Sequence, residues 1–193
     1  MAKLVYGIEG LDRLGKSTLI DGIRQKHGYY EIVHFSKPQK LARHQFPPTN
    51  PAAPAHFHQV YEYQRASFRN SMILAKSGAR VIFDRWHIGE AVYSPMYRGY
   101  DGDYVFEFER IHGLDSIGEI RLILLIENFD IARHFVDDGQ SLGTIDKREE
   151  EQSRFITAFN KSNIRDKRIT PVTDSGTGGF KPKAHILAQA PAW

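Results

Sequence analysis

Residues 10–17 of the chain, GLDRLGKS, have the types and spacing to hold the phosphates of a nucleoside triphosphate. Gly10 and Gly15 frame the segment and allow successive backbone N–H groups to curl around phosphate oxygens. Lys16 would reach the β and γ oxygens, and Ser17 would ligate Mg²⁺. An apolar run precedes the segment and a helical pattern follows it, so the positive end of a helix would add to the site. The pattern predicts a phosphate loop that binds a nucleotide.

This loop carries an acid and a base, Asp12 and Arg13, between its two glycines. Small uncharged residues would serve the backbone's role in phosphate binding equally well at these places. The two charged side chains would lie beside the phosphates themselves. Two charged side chains at these positions therefore indicate a role in the chemistry.

A second candidate for chemistry is the pair Asp84-Arg85, which ends the apolar run at 81–83. In α/β folds the crevice at the carboxyl ends of the strands binds ligands. A carboxylate there suits a Mg²⁺-associated role, and a guanidinium fork matches phosphate oxygens. The alternative is an Asp-Arg pair that caps the next helix and points into solvent.

Strand-like and helix-like segments alternate along the chain. The strand-like runs are 4–8, 29–35, 80–84, 120–128 and 168–174. The helical patterns run from the phosphate loop to about residue 27 and over about 54–77, 103–112, 130–138, 147–161 and 182–189. This alternation predicts a doubly wound α/β fold with a parallel sheet. The proline-rich segment 45–57 is predicted to be a loop.

The bulk composition narrows the classes of function. The chain has 193 residues, a formal net charge of +3 and no cysteine, which excludes disulfides, thiolate catalysis and zinc–cysteine sites. It contains no run of five basic residues and no apolar stretch near the length of a membrane span, so we expect neither direct nucleic-acid binding nor membrane insertion. We expect one domain over 1–193, in the cytoplasm.

The motif EGLDRLGKST at 9–18, followed by FDRW at 83–86 and AVYS at 91–94, resembles the thymidylate kinase family of nucleoside monophosphate kinases. The stretch DRWHIGEAVYSPMYRG at 84–99 is similar to the members that bacteriophages encode. The resemblance covers nearly the whole chain, through VTDSGTG at 172–178. It implies a P-loop three-layer α/β/α fold with a central five-stranded parallel sheet, helices on both faces and a mobile lid at about 137–148. It also implies a homodimer with ATP and Mg²⁺ as cofactors, and the host cytoplasm as its location if a phage encodes it.

The resemblance also assigns residues to the donor nucleotide. It implies contacts with ATP from Gly10, Leu14, Gly15, Lys16, Ser17, Thr18, Arg133 and Asp174, and metal ligation by Ser17 and Asp84. Catalytic roles fall on Arg13, Lys16, Asp84 and Arg85.

Within this donor site, Arg13 would lie on the transferring phosphoryl group, where a guanidinium stabilises the charge of the transition state. Lys147 and Arg148, beside the lid, are a second source of cations. For these two, a solvated helix face with i, i+4 pairs is the interpretation we favour.

For the acceptor nucleotide, the resemblance implies contacts from Asp12, Lys37, Tyr61, Arg65, Arg85 and Tyr93. Tyr61 and Arg65, one helical turn apart, would stack on the base and bond its edge, with the register open by one turn. Lys37 would hold the acceptor phosphate, and Asp12 would approach the 3′-hydroxyl. Tyr93 would crowd the 2′ position and exclude ribonucleotides, unless it is a core aromatic.

The activity that this resemblance implies is the ATP-dependent phosphorylation of a deoxynucleoside monophosphate, with dTMP converted to dTDP as the first candidate. The acceptor remains open among dTMP, dUMP, a modified pyrimidine such as 5-hydroxymethyl-dUMP, and several dNMPs. A deoxynucleoside kinase is a further alternative, and it needs a carboxylate base near the 5′-hydroxyl. A nucleotide-dependent switch without a small acceptor is the third.

Overall fold

The computed structural model describes residues 5–35, 53–112, 120–127, 145–174 and 179–188. Within them the strands are β1 (Val5–Gly10), β2 (Glu31–His34), β3 (Val81–Asp84), β4 (Ile120–Ile126) and β5 (Asp166–Pro171). The helices are α1 (Lys16–His27), α2 (Ala53–Lys76), α3 (Ile88–Tyr97), α4 (Tyr104–His112), α5 (Ile145–Lys161) and α6 (Lys183–Ala188). Among these described helices, none combines the length and apolar character that crossing a membrane demands.

The five strands form one parallel sheet in the order β2-β3-β1-β4-β5. β1 is central and buried along its whole length, which explains why its sequence does not alternate between apolar and polar residues. Connections between parallel strands are almost always right-handed. With this strand order, that rule puts α1, which leads from β1 to β2, on one face, and the helices that lead in the opposite direction across the sheet, α2 to α5, on the other. Accordingly α1 packs against α6, while α2 packs against α4 and α3 against α5. The predicted three-layer α/β/α architecture is confirmed.

The register of the central strands sets where the functional side chains meet. Ile8 of β1 pairs with Asp84 of β3, so the loop that follows β1 and the Asp84-Arg85 pair emerge side by side at the same edge of the sheet. Below that edge, the indole of Trp86 packs 4.8 Å from the ring of Phe83. A side chain at position 7 would meet that indole at 3.0 Å, so Gly7 is what lets Trp86 lie flat on β1. The segment after β3 is thereby anchored in the core.

Helix α3 is the element that the sequence pattern does not predict. Gly89 lowers the helix propensity of this segment, and Pro95, inside the helix, removes a backbone donor. The helix forms because Ile88 and Val92 are buried against the rest of the core. The predicted helix at 130–138 and most of the predicted lid lie outside the described residues.

Candidate active site

The phosphate loop turns sharply between β1 and α1. Gly10 has φ +130°, and a Cβ there would lie 2.5 Å from the backbone oxygen of Leu125 on β4. Arg13 and Gly15 also have positive φ, 66° and 83°. Such left-handed residues in a short loop turn neighbouring N–H groups toward a common concave side. The backbone dihedral angles of the loop are therefore of the kind found in anion-binding loops.

Two buried leucines hold the middle of this loop. Leu11 and Leu14 are almost fully buried, whereas Asp12 is half-buried and Arg13 is exposed. The apolar residues pin both ends of the charged pair to the core and leave the charges at the surface of the loop. Asp12 and Arg13 are thus held at the place where phosphates would bind.

Lys16, the first residue of α1, lies inside the loop. Its Nζ donates hydrogen bonds to the backbone oxygens of Gly10, at 2.9 Å, and Leu11, at 2.5 Å. Burial lowers the pKa of Lys16 to about 8, and the nearby Arg85 guanidinium acts in the same direction. The carboxylates of the site oppose this shift without cancelling it.

Arg85 belongs to the same site. Its guanidinium contacts the Asp12 carboxylate, and its backbone N–H donates to the oxygen of Ile8 at 3.0 Å. Burial acts to lower the pKa of Arg85, but the carboxylates, Asp12 above all, raise it above the usual value. With φ 60°, Arg85 adopts a left-handed conformation that an arginine rarely takes. The structure thus places a second guanidinium at the phosphate loop.

Asp84 offers a carboxylate for a cation at this edge of the sheet. Its Oδ2 lies 2.9 Å from Nδ1 of His34 on β2, and its buried Oδ1 has no hydrogen-bond partner among the described residues. Mg²⁺ is typically held by one or two carboxylates together with phosphates and water. Asp84, with the hydroxyl of Ser17 in the first turn of α1, therefore suits Mg²⁺ bound to a nucleotide.

Glu9 is a site residue to which the sequence interpretation gives no role. It is buried at the end of β1, and its Oε1 accepts a hydrogen bond from the backbone N–H of Trp86 at 2.8 Å. Burial raises the pKa of this carboxyl despite the opposing effects of the Trp86 amide, His87 and Lys16. The available signal was an acid within an otherwise apolar strand, at the edge where ligands bind. A buried carboxyl with a raised pKa is a candidate general base.

On helix α2, the structure places the predicted base-pocket residues Tyr61 and Arg65 in different surroundings. The Tyr61 ring packs 5.1 Å from Tyr104 and 5.5 Å from Phe108. The Arg65 side chain is 61% exposed and pairs with Glu62 at 3.7 Å on the same helix. The structure therefore does not bring Arg65 to the other site residues.

Gln64 of α2 contacts α3, where its Nε2 donates to Oε2 of Glu90 at 3.2 Å. The buried Glu90 carboxylate also accepts from Ser94 at 2.5 Å and Tyr104 at 2.8 Å, and it contacts the Arg98 guanidinium. Burial and the Glu90 carboxylate raise the pKa of the Tyr104 hydroxyl. This cluster joins α2, α3 and α4 into one wall.

Tyr93 lies on α3 toward the phosphate loop. Its ring is 5.6 Å from that of Phe155 on α5. Burial raises the pKa of the Tyr93 hydroxyl well above its usual value, as do the Glu151 and Asp12 carboxylates. Tyr93 is thus within electrostatic reach of the site and is also a packing residue.

Helix α5 reaches the phosphate loop through Arg148. This residue is only 7% exposed. It donates to the backbone oxygen of Asp12 at 3.0 Å and contacts the Glu127 carboxylate. The interpretation as a solvated helix face is therefore wrong for Arg148. Lys147 is exposed, with its Nζ 5.7 Å from the centre of the Tyr97 ring.

The remaining predicted donor and acceptor residues are only partly described. Asp174 follows β5 at the same edge of the sheet, and its N–H donates to the oxygen of Gly179 at 2.9 Å. Lys37 and Arg133 lie outside the described residues, as does the segment 175–178.

No protein-family model and no curated protein matches the chain. Solved structures do match it. The chain shares the P-loop α/β fold of the following kinase and nucleotide-bound structures. A thymidylate kinase from Candida albicans is 14% identical, with a TM-score of 0.64 over 98% of this chain and 89% of that one. The YorR protein from Bacillus subtilis, in complex with phosphorylated GDP, is 14% identical, with a TM-score of 0.60 over 96% and 92%. A deoxyadenosine kinase from M. mycoides with bound dATP is 20% identical, with a TM-score of 0.52 over 96% and 97%.

Proposed function

We propose that the chain is a nucleotide kinase that transfers a phosphoryl group from Mg²⁺-ATP to a deoxynucleoside monophosphate, with dTMP as the first candidate. The observation that carries this proposal is the contact between Arg85 and Asp12. A phosphate loop alone accounts for one nucleotide. The guanidinium of Arg85, held at this loop by the Asp12 carboxylate, could bind the phosphate of a second nucleotide. Two nucleotides meeting at one loop is what a monophosphate kinase requires.

The residues then divide the work of transfer. Lys16 would exchange the carbonyl oxygens of Gly10 and Leu11 for the β and γ oxygens of the donor. Arg13, exposed at the centre of the loop, would stabilise the charge that spreads over the transferring group. Arg85 would orient the acceptor phosphate toward that group. Mg²⁺, held by Ser17 and Asp84, would neutralise the donor oxygens.

The solved structures support the class of reaction and leave the acceptor open. A thymidylate kinase described as having broad substrate specificity and a deoxyadenosine kinase share this fold. The resemblance in the sequence adds a homodimer, a lid at about 137–148 and a bacteriophage origin, hence the host cytoplasm, to the proposal.

A panel of acceptors tests the proposal directly. ADP release would be measured with Mg²⁺-ATP and dTMP, dUMP, 5-hydroxymethyl-dUMP, dCMP, dAMP, dGMP or thymidine. Release that depends on a monophosphate and disappears in Lys16→Ala supports the proposal. Lys26→Ala, an exposed lysine of the same helix, is the matched control. If no monophosphate stimulates release, the proposal is wrong.

Glu9 favours a second candidate, a deoxynucleoside kinase. Phosphorylation of a free 5′-hydroxyl needs a base, and Glu9 is a buried carboxyl with a raised pKa at the edge of the sheet beside Lys16 and Arg85. In that reaction Arg85 would contact the transferring group. Stimulation of ADP release by thymidine, or by another deoxynucleoside added to the panel, with none by the monophosphates, would select this candidate.

A further inference from the structure

The backbone carbonyl of Asp12 is held by a side chain from a distant helix. Arg148 of α5 donates from its terminal nitrogen to this oxygen at 3.0 Å, across 136 positions of sequence. Its Nε donates to the carboxylate of Glu127, the residue that follows β4. The two arms of one planar guanidinium thus join the phosphate loop to a strand end, which a single ammonium group could not do with the same geometry.

Glu127 is itself fixed, so Arg148 has a rigid support. Gln152, one turn along α5, accepts from the backbone N–H of Glu127 at 2.8 Å and donates to its backbone oxygen at 2.8 Å. The side chains of Arg148 and Glu127 are 8% and 10% exposed. The chain of contacts from Gln152 to Asp12 is therefore almost entirely removed from solvent.

The orientation of the Asp12 carbonyl decides where the next amide points. The described peptide bonds include no cis bond, and in a trans peptide the C=O and the following N–H point in opposite directions. Holding the Asp12 oxygen toward α5 therefore turns the N–H of Arg13 away from α5. Arg13 itself has φ 66°, the left-handed conformation that opens a loop of N–H groups to an anion.

We propose that Arg148 is a positioning residue of the phosphate loop, which holds the Asp12 carbonyl so that the N–H of Arg13 donates to a donor phosphate oxygen. This rests on the proposed function only in that the loop binds a donor nucleotide. Arg148 acts through the peptide between Asp12 and Arg13 and not through its charge, because Glu127 neutralises that charge. Helix α5 is thereby part of the nucleotide site.

The test compares Arg148→Met with the wild-type chain in titrations with ADP. We expect the Kd for ADP to rise about tenfold, as loss of one hydrogen bond to a charged group implies. The control is Arg154→Met, an exposed arginine of α5 that pairs with Glu150, and it should leave the Kd unchanged. The amide signal of Arg13 in a ¹⁵N-labelled sample gives a second readout. It should shift on ADP addition in the wild type and shift much less in Arg148→Met.

A purely structural role for Arg148 would lower the melting temperature and leave both the Kd and the Arg13 shift as in the wild type, which would overturn the proposal. If Arg148→Met does not fold, Arg148→Gln gives the same readouts with a smaller change in polarity. Failure of the proposed function looks different: wild-type chain that binds ADP but phosphorylates no acceptor refutes the kinase and leaves this test in force. A wild-type chain that binds no ADP overturns both.

Discussion

The carboxylate of Asp12 contacts the guanidinium of Arg85 across the edge of the central sheet, 73 positions away in sequence. The contact exists because β1 and β3 are neighbours in register, with the N–H of Arg85 donating to the oxygen of Ile8. Phosphate binding alone would disfavour an acid in the loop. Asp12 has a partner here, because Arg85 follows β3, the neighbouring strand of the sheet. The negative charge of Asp12 is therefore paired with a cation of the same site.

Replacing Arg13 by Ala should lower kcat by about 100- to 1000-fold and change the KM of either nucleotide far less. Arg13 is exposed at the centre of the loop. From there its guanidinium would interact more strongly with the transferring group only as charge develops in the transition state. Steady-state kinetics with varied ATP and varied acceptor would separate the two effects. Arg24→Ala, an exposed arginine on α1, is the control. An unchanged kcat would assign the catalytic guanidinium to another residue.

The affinity for ADP should fall as the pH rises above about 8. Where its Nζ contacts the carbonyls of the loop, Lys16 has a pKa of about 8. Above that pH most of the side chain is neutral, so it must take up a proton before it can bind a phosphate as an ammonium. We expect the Kd to rise by up to about tenfold per pH unit, measured from about pH 7.5 to about pH 9.5. In Lys16→Arg the cation persists throughout, and any binding should not vary with pH. A flat wild-type profile would contradict this.

The same shift has the opposite effect on folding. In the folded chain the pKa of Lys16 lies below its ordinary value of 10.5, so between about 8 and 10.5 the unfolded chain binds more protons. The Lys16 contribution to the free energy of unfolding therefore rises with pH in this window. As far as Lys16 is concerned, the affinity for ADP should therefore fall in this window while the stability of the fold does not. Thermal melting over the same pH range checks the point.

Replacing Tyr93 by Ala should admit ribonucleotides. If the ring crowds the 2′ position of the acceptor sugar, the ratio of kcat/KM for dUMP to that for UMP should fall about tenfold or more, because removal of a steric contact is worth a few kcal/mol at most. Tyr93→Phe keeps the ring and should keep the ratio. An unaltered ratio in Tyr93→Ala would leave Tyr93 with its packing against Phe155 alone.

Gly10→Ala should destabilise the chain and abolish nucleotide binding. An added Cβ would lie 2.5 Å from the oxygen of Leu125, at a φ of +130° that alanine rarely adopts. Gly78→Ala is the matched control, since Gly78 also has positive φ but has nothing within 4 Å of an added Cβ. We expect the control to cost about 1 kcal/mol of unfolding free energy and Gly10→Ala to cost clearly more. Equal costs in denaturant titrations would show that the contact with β4 is relaxed.

Glu9→Gln separates the two candidate functions. The substitution keeps the acceptor of the Trp86 N–H and removes the base. A deoxynucleoside kinase should lose about 100-fold or more in kcat, whereas a monophosphate kinase, whose acceptor oxygens are already ionised, should lose far less. For a nucleoside acceptor, the pH–rate profile of the wild type should also show a limb from the raised pKa of Glu9. A variant with full activity on a nucleoside would rule Glu9 out as its base.

Local features of the sequence were sufficient to predict the phosphate loop and the alternation of strands and helices. Gly10, Gly15 and Lys16 act through backbone geometry and reach that depend on a few neighbouring residues, so their meaning survives without the fold. Apolar runs without alternation indicated strands covered on both faces, and the parallel sheet follows from that. The sequence pattern did not predict helix α3, because the stability of this helix comes from the burial of Ile88 and Val92 and not from the helix propensity of its residues.

The tertiary structure alone decided which charged residues lie at the phosphate loop. Arg65 and Arg148 both lie on predicted helices beside acids, and their sequence surroundings do not distinguish them. One is exposed, and the other is buried against the carbonyl of Asp12. The same holds for Glu9, whose burial and raised pKa come from the strands packed around it. The distance between two charged groups on different elements depends on how those elements pack together. The spacing in the sequence gives distances only within one element.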